Sequence, residues 1–398
     1  MGTRAGAKTN RGWEMRIGTL FSGIGAPEQG AKRVYCGDLE LVFACEYDKF
    51  ARQSFNANYE IHPDHFHNDV REMDGTQYQG KVDVLVGGSP CQAFSIAGLR
   101  NGTDDERGQL IYQYIRIVDE VKAPVIVYEN VKGMISIEGG KTIREFVQAL
   151  RDIGYYCHYE VVNTKDYRVP QNRERIFLVG FLDYEMYHRF QFSPKQKLEK
   201  RLKDVLESEV DEKYYLSDSV IAQFQAKTER AKREGNGFAF KPTNGDICAY
   251  SITTKAGGRV DDNFIDVIGL LDCKGTDQIR RVYGTDGVAA TLTTMQGGNQ
   301  EPKILQLGRG FNNGGEHDEC PTITKNSFEC NNFVKHQRIR KLTPRECLRL
   351  QDFPDSFIQV VSDSQQYKQA GNSMSCNVLE MIFNQIEKAK KVEEGRLF

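Results

Sequence analysis

The stretch Val82-Asp83-Val84-Leu85-Val86-Gly87-Gly88-Ser89-Pro90-Cys91-Gln92-Ala93-Phe94-Ser95 decides the reading of this chain. The apolar run at its start reads as a buried strand. The Gly-Gly pair ends that strand in a tight turn, and one cysteine follows beside a proline. Pro90 has a fixed φ and restricts the residue before it, which limits where the Cys91 thiol can point. A sheet that displays a nucleophile at the carboxyl end of a strand is built in this way.

Outward from this point, residues 15–182 alternate short apolar runs with helical patterns. The runs 15–21, 39–45, 82–86, 125–128, 156–162 and 175–181 read as strands. Ile143, Phe146, Val147 and Leu150 fall on one helical face, and Leu110, Tyr114, Ile117, Val118 and Val121 do much the same. Alternating units of this length predict an α/β fold: a doubly wound, mostly parallel sheet with helices on both faces. From about residue 193 to 337 the periodicity weakens, and Gly, Asn, Asp and Thr become frequent. Ser251-Ile252-Thr253-Thr254, Thr291-Leu292-Thr293-Thr294 and Thr322-Ile323-Thr324 repeat a β-forming theme near Gly- or Asn-rich turns. This region is expected to be a smaller, loop-rich β domain. The expected division is 15–192, then 193–340 for the small domain, with 341–398 returning to the first through a helix near 378–390. The polar residues 1–14 are expected to be disordered.

The composition bounds the function. With 398 residues, 39% hydrophobic and 27% charged, the chain has the make-up of a soluble globular protein of one large or two smaller domains. No apolar run is long enough to span a membrane, and no secretory signal is visible. Ten cysteines without a Cys-x-x-Cys pair point to free thiols in a reducing cytoplasm. His62, His65 and His67 lack further ligands at metal spacing and read as a solvated loop, so no metal is expected. A net charge of −2 is not the overall basicity of a nucleic-acid binder. Basic patches at 195–203, 227–233 and 338–349 permit DNA contact without establishing it.

Polar clusters follow nearly every expected strand: Phe21-Ser22-Gly23-Ile24-Gly25-Ala26-Pro27-Glu28, Glu46-Tyr47-Asp48, Asn68-Asp69-Val70, Pro90-Cys91-Gln92 and Glu129-Asn130-Val131. Ligands of open α/β sheets bind outside the carboxyl ends of the strands, so five clusters there make one shared site. Glu28 stands where the dinucleotide fingerprint has its third glycine, which favours a cofactor without a pyrophosphate. Glu46 lies where an acid can accept from both ribose hydroxyls. Tyr47 and Val70 can sandwich a purine, and Asp69 can accept from its exocyclic amine. An adenosine ligand carrying a positive centre suits so acidic a pocket, and S-adenosyl-L-methionine has those properties.

In these motifs the chain resembles the DNA (cytosine-5) methyltransferases of bacterial and phage restriction–modification systems. The motifs are Phe21-x-Gly23-x-Gly25, Pro90-Cys91-Gln92, Glu129-Asn130-Val131, Gln171-Asn172-Arg173-Glu174-Arg175, Arg345-Glu346 and Gly371-Asn372-Ser373, in family order over nearly the whole chain. Ala26, where many members have Gly, adds only a methyl group. The resemblance implies the Rossmann-like fold of S-adenosylmethionine-dependent methyltransferases, with 193–340 as the target-recognition domain. It implies a Cys91 thiolate that adds to C6 of a flipped-out cytosine, assisted by Gln92, with Glu129 donating to N3. Arg175 would hold O2, with Arg173 in support. Phe21, Gly23, Ile24, Gly25, Glu46, Tyr47, Asp69, Val70, Pro90, Leu110, Asn372 and Ser373 would hold the cofactor. Arg107, in a mobile loop at 97–108, and Gln171 would touch DNA. The implied partner is double-stranded DNA, met by a monomeric enzyme, with a cognate restriction endonuclease as companion where the enzyme is one of a pair. Three alternatives stay open at this point: methylation of tRNA, a catalytically silent DNA-binding partner, and a nicotinamide-dependent dehydrogenase, which the glycine pattern disfavours.

Overall fold

The computed structural model describes residues 15–90, 109–234, 241–242, 247–252, 254, 262–268, 303–306, 315–317, 332–335 and 337–390. Residues 1–14, Cys91, Gln92, Arg107 and the loop 97–108 lie outside them, as do the second and third copies of the Ser/Thr-rich theme.

The chain divides into two compact units. The first takes the residues up to Lys200, the segment Tyr250–Lys255 and everything from Cys347 onward. Its seven-stranded sheet has the order β3-β2-β1-β4-β5-β8-β6. The strands are β1 (Met15–Leu20), β2 (Leu39–Cys45), β3 (Phe66–His67), β4 (Val84–Gly87), β5 (Val125–Val131), β6 (Tyr156–Asn163) and β8 (Glu174–Phe181); the two-residue β7 (Gln171–Asn172) stands apart from this sheet. All neighbours from β3 to β5 are parallel, and β8 runs antiparallel to both β5 and β6. The expected mostly parallel α/β sheet is therefore present, of Rossmann-like type.

The sheet is buried on both faces. Leu85, Ile126, Tyr128, Ile176 and Leu178 form one apolar cluster with Tyr114, Ile117 and Val121 of α3 (Gln109–Val121) and with Phe146 and Leu150 of α4 (Lys141–Asp152). Their neighbours Val84, Val86, Val127, Phe177 and Val179 are at most 1% exposed, and a strand's period of two turns them to the opposite face. Two further helices pack together, α1 (Ala26–Tyr35) and the helix Cys376–Lys390. A Cβ at Gly30 would come within 2.8 Å of Leu379 Cβ, so glycine lets these helices approach closely. Tyr35 meets Phe383 edge to face at 6.1 Å.

β4 starts two residues later than its apolar run suggests. The Asp83 backbone still bonds to the Arg16 carbonyl at 2.8 Å and to the Val125 amide at 3.2 Å, while its carboxylate takes the Arg16 amide at 2.8 Å and Nη2 at 2.7 Å; the regular ladder begins at Val84. The segment 250–255 also departs from expectation. It groups with the first unit, where Ile252 exchanges backbone hydrogen bonds with the Gln171 and Arg173 side chains.

The second unit comprises Arg201–Ala249 and Ala256–Glu346. Among its described residues, the strand Phe264–Ile268 pairs antiparallel with Gln337–Lys341, and Lys303–Gln306 lies between Gly315–His317 and Asn332–Lys335. The helix Asp218–Arg233 lays Phe224 against Phe264 at 5.6 Å. Glu346 is fully buried. It receives both Nη groups of Arg340 at 2.8 Å, and the amides of Thr343 and Glu207 at 2.8 Å. No helix among the described residues is long and apolar enough to cross a membrane.

Candidate functional site

A cavity of about 570 Å³ in the first unit is lined from the carboxyl ends of β1, β2, β4 and β5. After β1 the chain turns through Phe21 and Gly23, with φ of 53° and 56°, and Gly25 at 89°. The turn is tight because Tyr59 closes on it. A Cβ at Gly25 would lie 2.1 Å from the Tyr59 ring, and the Tyr59 hydroxyl donates to the Gly25 carbonyl at 2.8 Å. Phe21, Gly23 and Ile24 line the cavity; Gly25 shapes the turn without lining it. Below the turn, Ser22 Oγ accepts the Cys45 amide at 3.1 Å and meets Thr19 Oγ1 at 2.8 Å; that hydroxyl donates to Glu28 at 2.7 Å.

Glu46, just past β2, accepts the Gly23 amide on Oε2 at 2.8 Å and the Asp48 amide on Oε1 at 2.7 Å. Burial pushes its carboxyl above the usual range, and these two amides oppose the shift. Each carboxylate oxygen keeps a second lone pair for a donor in the cavity. Asp48 caps α2 (Lys49–Asn56), with Oδ1 accepting the Phe50 amide at 2.8 Å, and pairs with Lys368 through Oδ2. Tyr47 is 73% exposed, a large ring open at the cavity. Asp69 and Val70 line the cavity next to it, and Asp69 is bound by Arg71.

The turn before Cys91 is held from β5. Asn130 donates to the Ser89 carbonyl at 3.1 Å and to the Tyr128 hydroxyl at 2.8 Å, and that hydroxyl also meets Ser89 Oγ at 2.6 Å. Gly88 is required there, because a Cβ would stand 2.8 Å from Met374 Cε and 2.9 Å from the Glu129 carbonyl. Pro90 and Leu110 line the cavity, so the chain enters and leaves the 91–108 segment at its wall.

Glu129 and Arg175 share a face of the sheet: Val131 pairs with Arg175 and Glu129 with Phe177. Because β8 is antiparallel, its amino end brings Arg173 and Arg175 to the carboxyl end of β5. Arg175 Nε lies 3.3 Å from Glu129 Oε1. Burial raises the Glu129 pKa, against the opposing pull of Arg173 and Arg175. Arg173 is buried and donates to the carbonyls of Gly371 at 3.2 Å and Ser373 at 2.9 Å, fixing the Gly371-Asn372-Ser373 turn. Burial pulls its pKa down to about 9, with Arg175 adding to the effect and Glu129 opposing it.

Of the expected residues, Phe21, Gly23, Ile24, Glu46, Tyr47, Asp69, Val70, Pro90, Leu110, Glu129, Arg173, Arg175, Asn372 and Ser373 line this cavity, while Cys91, Gln92 and Arg107 lie outside the described residues. Gln171 is fully buried; its amide donates to the Leu350 carbonyl and accepts the Ile252 amide at 3.4 Å. In this structure its side chain is an internal brace between Leu350 and Ile252. The Arg345-Glu346 motif lies in the second unit, where Glu346 is engaged with Arg340. The sequence reading missed Arg71, Lys368 and Gln369 as cavity residues. Lys368 and Gln369 lie one helical turn before Asn372 on the helix Asp363–Asn372, a spacing that could have found them.

Residues 15–388 match the family described as C-5 cytosine-specific DNA methylase. The orphan methyltransferase M.Rho11sI of Bacillus phage rho11s is 32% identical over 499 aligned residues, covering 94% of this chain and 98% of that protein. The type II methyltransferase M.SsoII of Shigella sonnei is 31% identical, covering 95% of this chain and 81% of its own length. The solved structure of the S. pombe Dnmt2 methyltransferase superposes with a TM-score of 0.60 at 18% identity, over 94% of this chain and 98% of that one, which is a likeness of fold. With a family match over nearly its full length, this chain belongs to the C-5 cytosine-specific DNA methylases.

Proposed function

We propose that the protein transfers a methyl group from S-adenosyl-L-methionine to C5 of a cytosine flipped out of a specific duplex DNA site. The observation that carries the proposal is the single cavity in which Glu46 and Asp69 stand as acceptors at one end and Glu129 and Arg175 stand paired at the other, with Pro90 between. The cavity's size is that of a small-molecule site, and its acceptors match ribose hydroxyls and a purine amine. Glu46 and Gly23 would hold the ribose, Tyr47, Val70 and Asp69 the purine, and Phe21, Asn372 and Ser373 the amino-acid end. S-adenosyl-L-methionine, when bound, supplies a methyl group on a cationic sulfur, which C5 takes.

Cytosine C5 is a poor nucleophile. The Cys91 thiolate bonds to C6, and the ring accepts the electron pair as it becomes an enamine. Glu129 meets that negative charge by giving a proton to N3; burial, which raises its pKa, favours the protonated form that can do so. Arg175 stabilises O2, and Arg173 holds the Gly371-Asn372-Ser373 turn in place. After methyl transfer a water molecule takes the C5 proton, the C6–S bond breaks to release the Cys91 thiolate, and N3 returns its proton to Glu129 as aromaticity is restored. Extruding the base costs a few kcal/mol. Closure of the 97–108 loop, with Arg107 on phosphate, would offset part of that cost. The second unit would supply the side chains that read the target in the major groove. The family match, C-5 cytosine-specific DNA methylase, supports DNA as the substrate.

The test is to express the protein in cells lacking 5-methylcytosine and sequence their DNA with a 5-methylcytosine readout. One short motif methylated at a fixed cytosine is expected; unmethylated DNA overturns the reading. In a second arm, duplex carrying 5-fluorocytosine at that position should trap a covalent adduct with the wild-type protein and none with Cys91→Ser. A stable adduct of the serine variant would show that another residue attacks.

A further inference from the structure

Arg71 lines the cavity beside the two residues expected to meet the purine, and nothing in the sequence motifs assigns it a role. Its side chain folds back on Asp69. Nη2 donates to Oδ2 at 2.6 Å, and Nε lies 3.0 Å from both Oδ1 and Oδ2. The Arg71 amide donates to Oδ1 at 3.0 Å. The guanidinium carbon lies 6.0 Å from the Tyr47 ring centroid, within reach of a cation–π contact. Arg71 is 41% exposed and Asp69 only 14%, so the acid is enclosed by its partner and the cavity wall.

An ionised carboxylate has about four lone-pair sites. Nε has a single hydrogen, so the fork of Nε and Nη2 occupies one site on each oxygen. The backbone amide takes the second site of Oδ1, which leaves one acceptor site on Oδ2. The bidentate fork also fixes the plane of the carboxylate, which a single lysine ammonium could not do. The Arg71 hydrogen bond holds Asp69 below the ordinary carboxylate range, outweighing the opposite effect of burial. The fork and the backbone amide are all donors to Asp69, so the carboxylate is held as an acceptor.

We propose that Arg71 is a specificity-determining residue: by pinning Asp69 as a fixed, pure acceptor, it makes the cavity select a 6-amino purine nucleoside over a 6-oxo one. The inference rests on the adenosine-bearing cofactor proposed above. A 6-amino group donates to the remaining Oδ2 site. A 6-oxo group sets oxygen against oxygen, and a carboxylate fixed by the Arg71 fork and amide cannot turn away to relieve the clash. Sites that demand a specific hydrogen-bonding group reject analogues lacking it far more strongly than sites that merely fit a shape.

The experiment measures binding of S-adenosylhomocysteine and of its inosine counterpart by titration calorimetry, in the wild-type protein and in Arg71→Ala and Arg71→Lys. The wild-type protein should prefer the adenosine compound by ~100-fold or more. Arg71→Ala should bind the adenosine compound about tenfold more weakly and lose most of the preference, with Arg71→Lys between the two. A wild-type protein that binds neither compound overturns the cofactor reading, and this inference with it. A wild-type protein that binds S-adenosylhomocysteine while Arg71→Ala keeps the full preference overturns this inference alone. So does an Arg71→Ala variant that binds the adenosine compound more tightly, because the guanidinium would then be competing for Asp69.

Discussion

Glu46 and Glu129 are both carboxylates at one cavity, yet their surroundings differ in kind. Glu46 is held by two neutral amides, those of Gly23 and Asp48, one of them two residues away. Glu129 faces two guanidinium groups, one from β8 and one from the residue just before it, and the latter also braces a turn at residues 371–373. Backbone dipoles fix an acid without asking anything of other side chains. Buried charges depend on one another, and removing one leaves its partner uncompensated. The donor end should therefore respond to mutation as a binding site, and the base end as a reaction centre tied to the fold.

The hardest test of that separation is Glu129→Gln. The amide keeps the shape but cannot give up a proton to N3. Methyl transfer is expected to fall by about 10³-fold, within the range for general acid–base groups. S-adenosylhomocysteine affinity should stay within about twofold of wild type. Rapid-quench turnover alongside calorimetry checks both; equal losses in binding and turnover would show that the two ends are one unit.

Next in size is Arg173→Met, which removes the bonds to the Gly371 and Ser373 carbonyls and strips Glu129 of a nearby positive charge. A loss of about 3 kcal/mol of stability is expected from breaking so buried a charge network, read as a lower urea midpoint with an unchanged slope. Glu46→Gln should be milder. One amide oxygen can still accept, but the new NH2 group faces a backbone N–H, donor against donor. Donor binding should weaken by about 30-fold, or ~2 kcal/mol, with turnover at saturation preserved and the urea midpoint little changed.

The same contrast explains what the sequence could disclose. The turn at Gly23 and Gly25, the acid at Glu46 and the strand before Cys91 are local patterns. Each follows from residue types within a few positions, so the sheet and the donor end were legible. The strand start at Val84 was not, because it depends on how Asp83 meets Arg16, far away in sequence. The same holds for Gln171, a polar residue of a functional motif that turns out to reach the Leu350 carbonyl inside the core. Arg173 looked like an aid to catalysis, and its grip on residues 371–373 depends on partners that no local pattern names. What was missed is what the antiparallel β8 and the long-range turns bring together.

The smallest expected effect concerns an acid that belongs to neither scheme. Glu28 lies in the first turn of α1, 1% exposed; Oε1 accepts from Thr19, and Oε2 has no hydrogen-bond partner. It has neither the paired amides of Glu46 nor the guanidinium neighbours of Glu129. Burial pushes its pKa up to about 7, from a usual 4.5, with the Thr19 hydroxyl opposing. Below pH ~4.5 both folded and unfolded chains hold the proton, and Glu28 costs nothing. As the pH rises toward 7 the unfolded chain releases the proton while the folded one retains it, so stability falls; above 7 the full penalty is present. The upper bound is about 3 kcal/mol, and structural relaxation should leave about 1 to 2. Glu28→Gln removes this titration and keeps the acceptor for Thr19. Its urea midpoint should match wild type at pH 5 and exceed it at pH 8. Every other titrating group is common to the two proteins and cancels in the difference. A gap that is constant with pH would mean that Glu28 is ionised in its buried place throughout, held there by the α1 amino terminus and Thr19 alone.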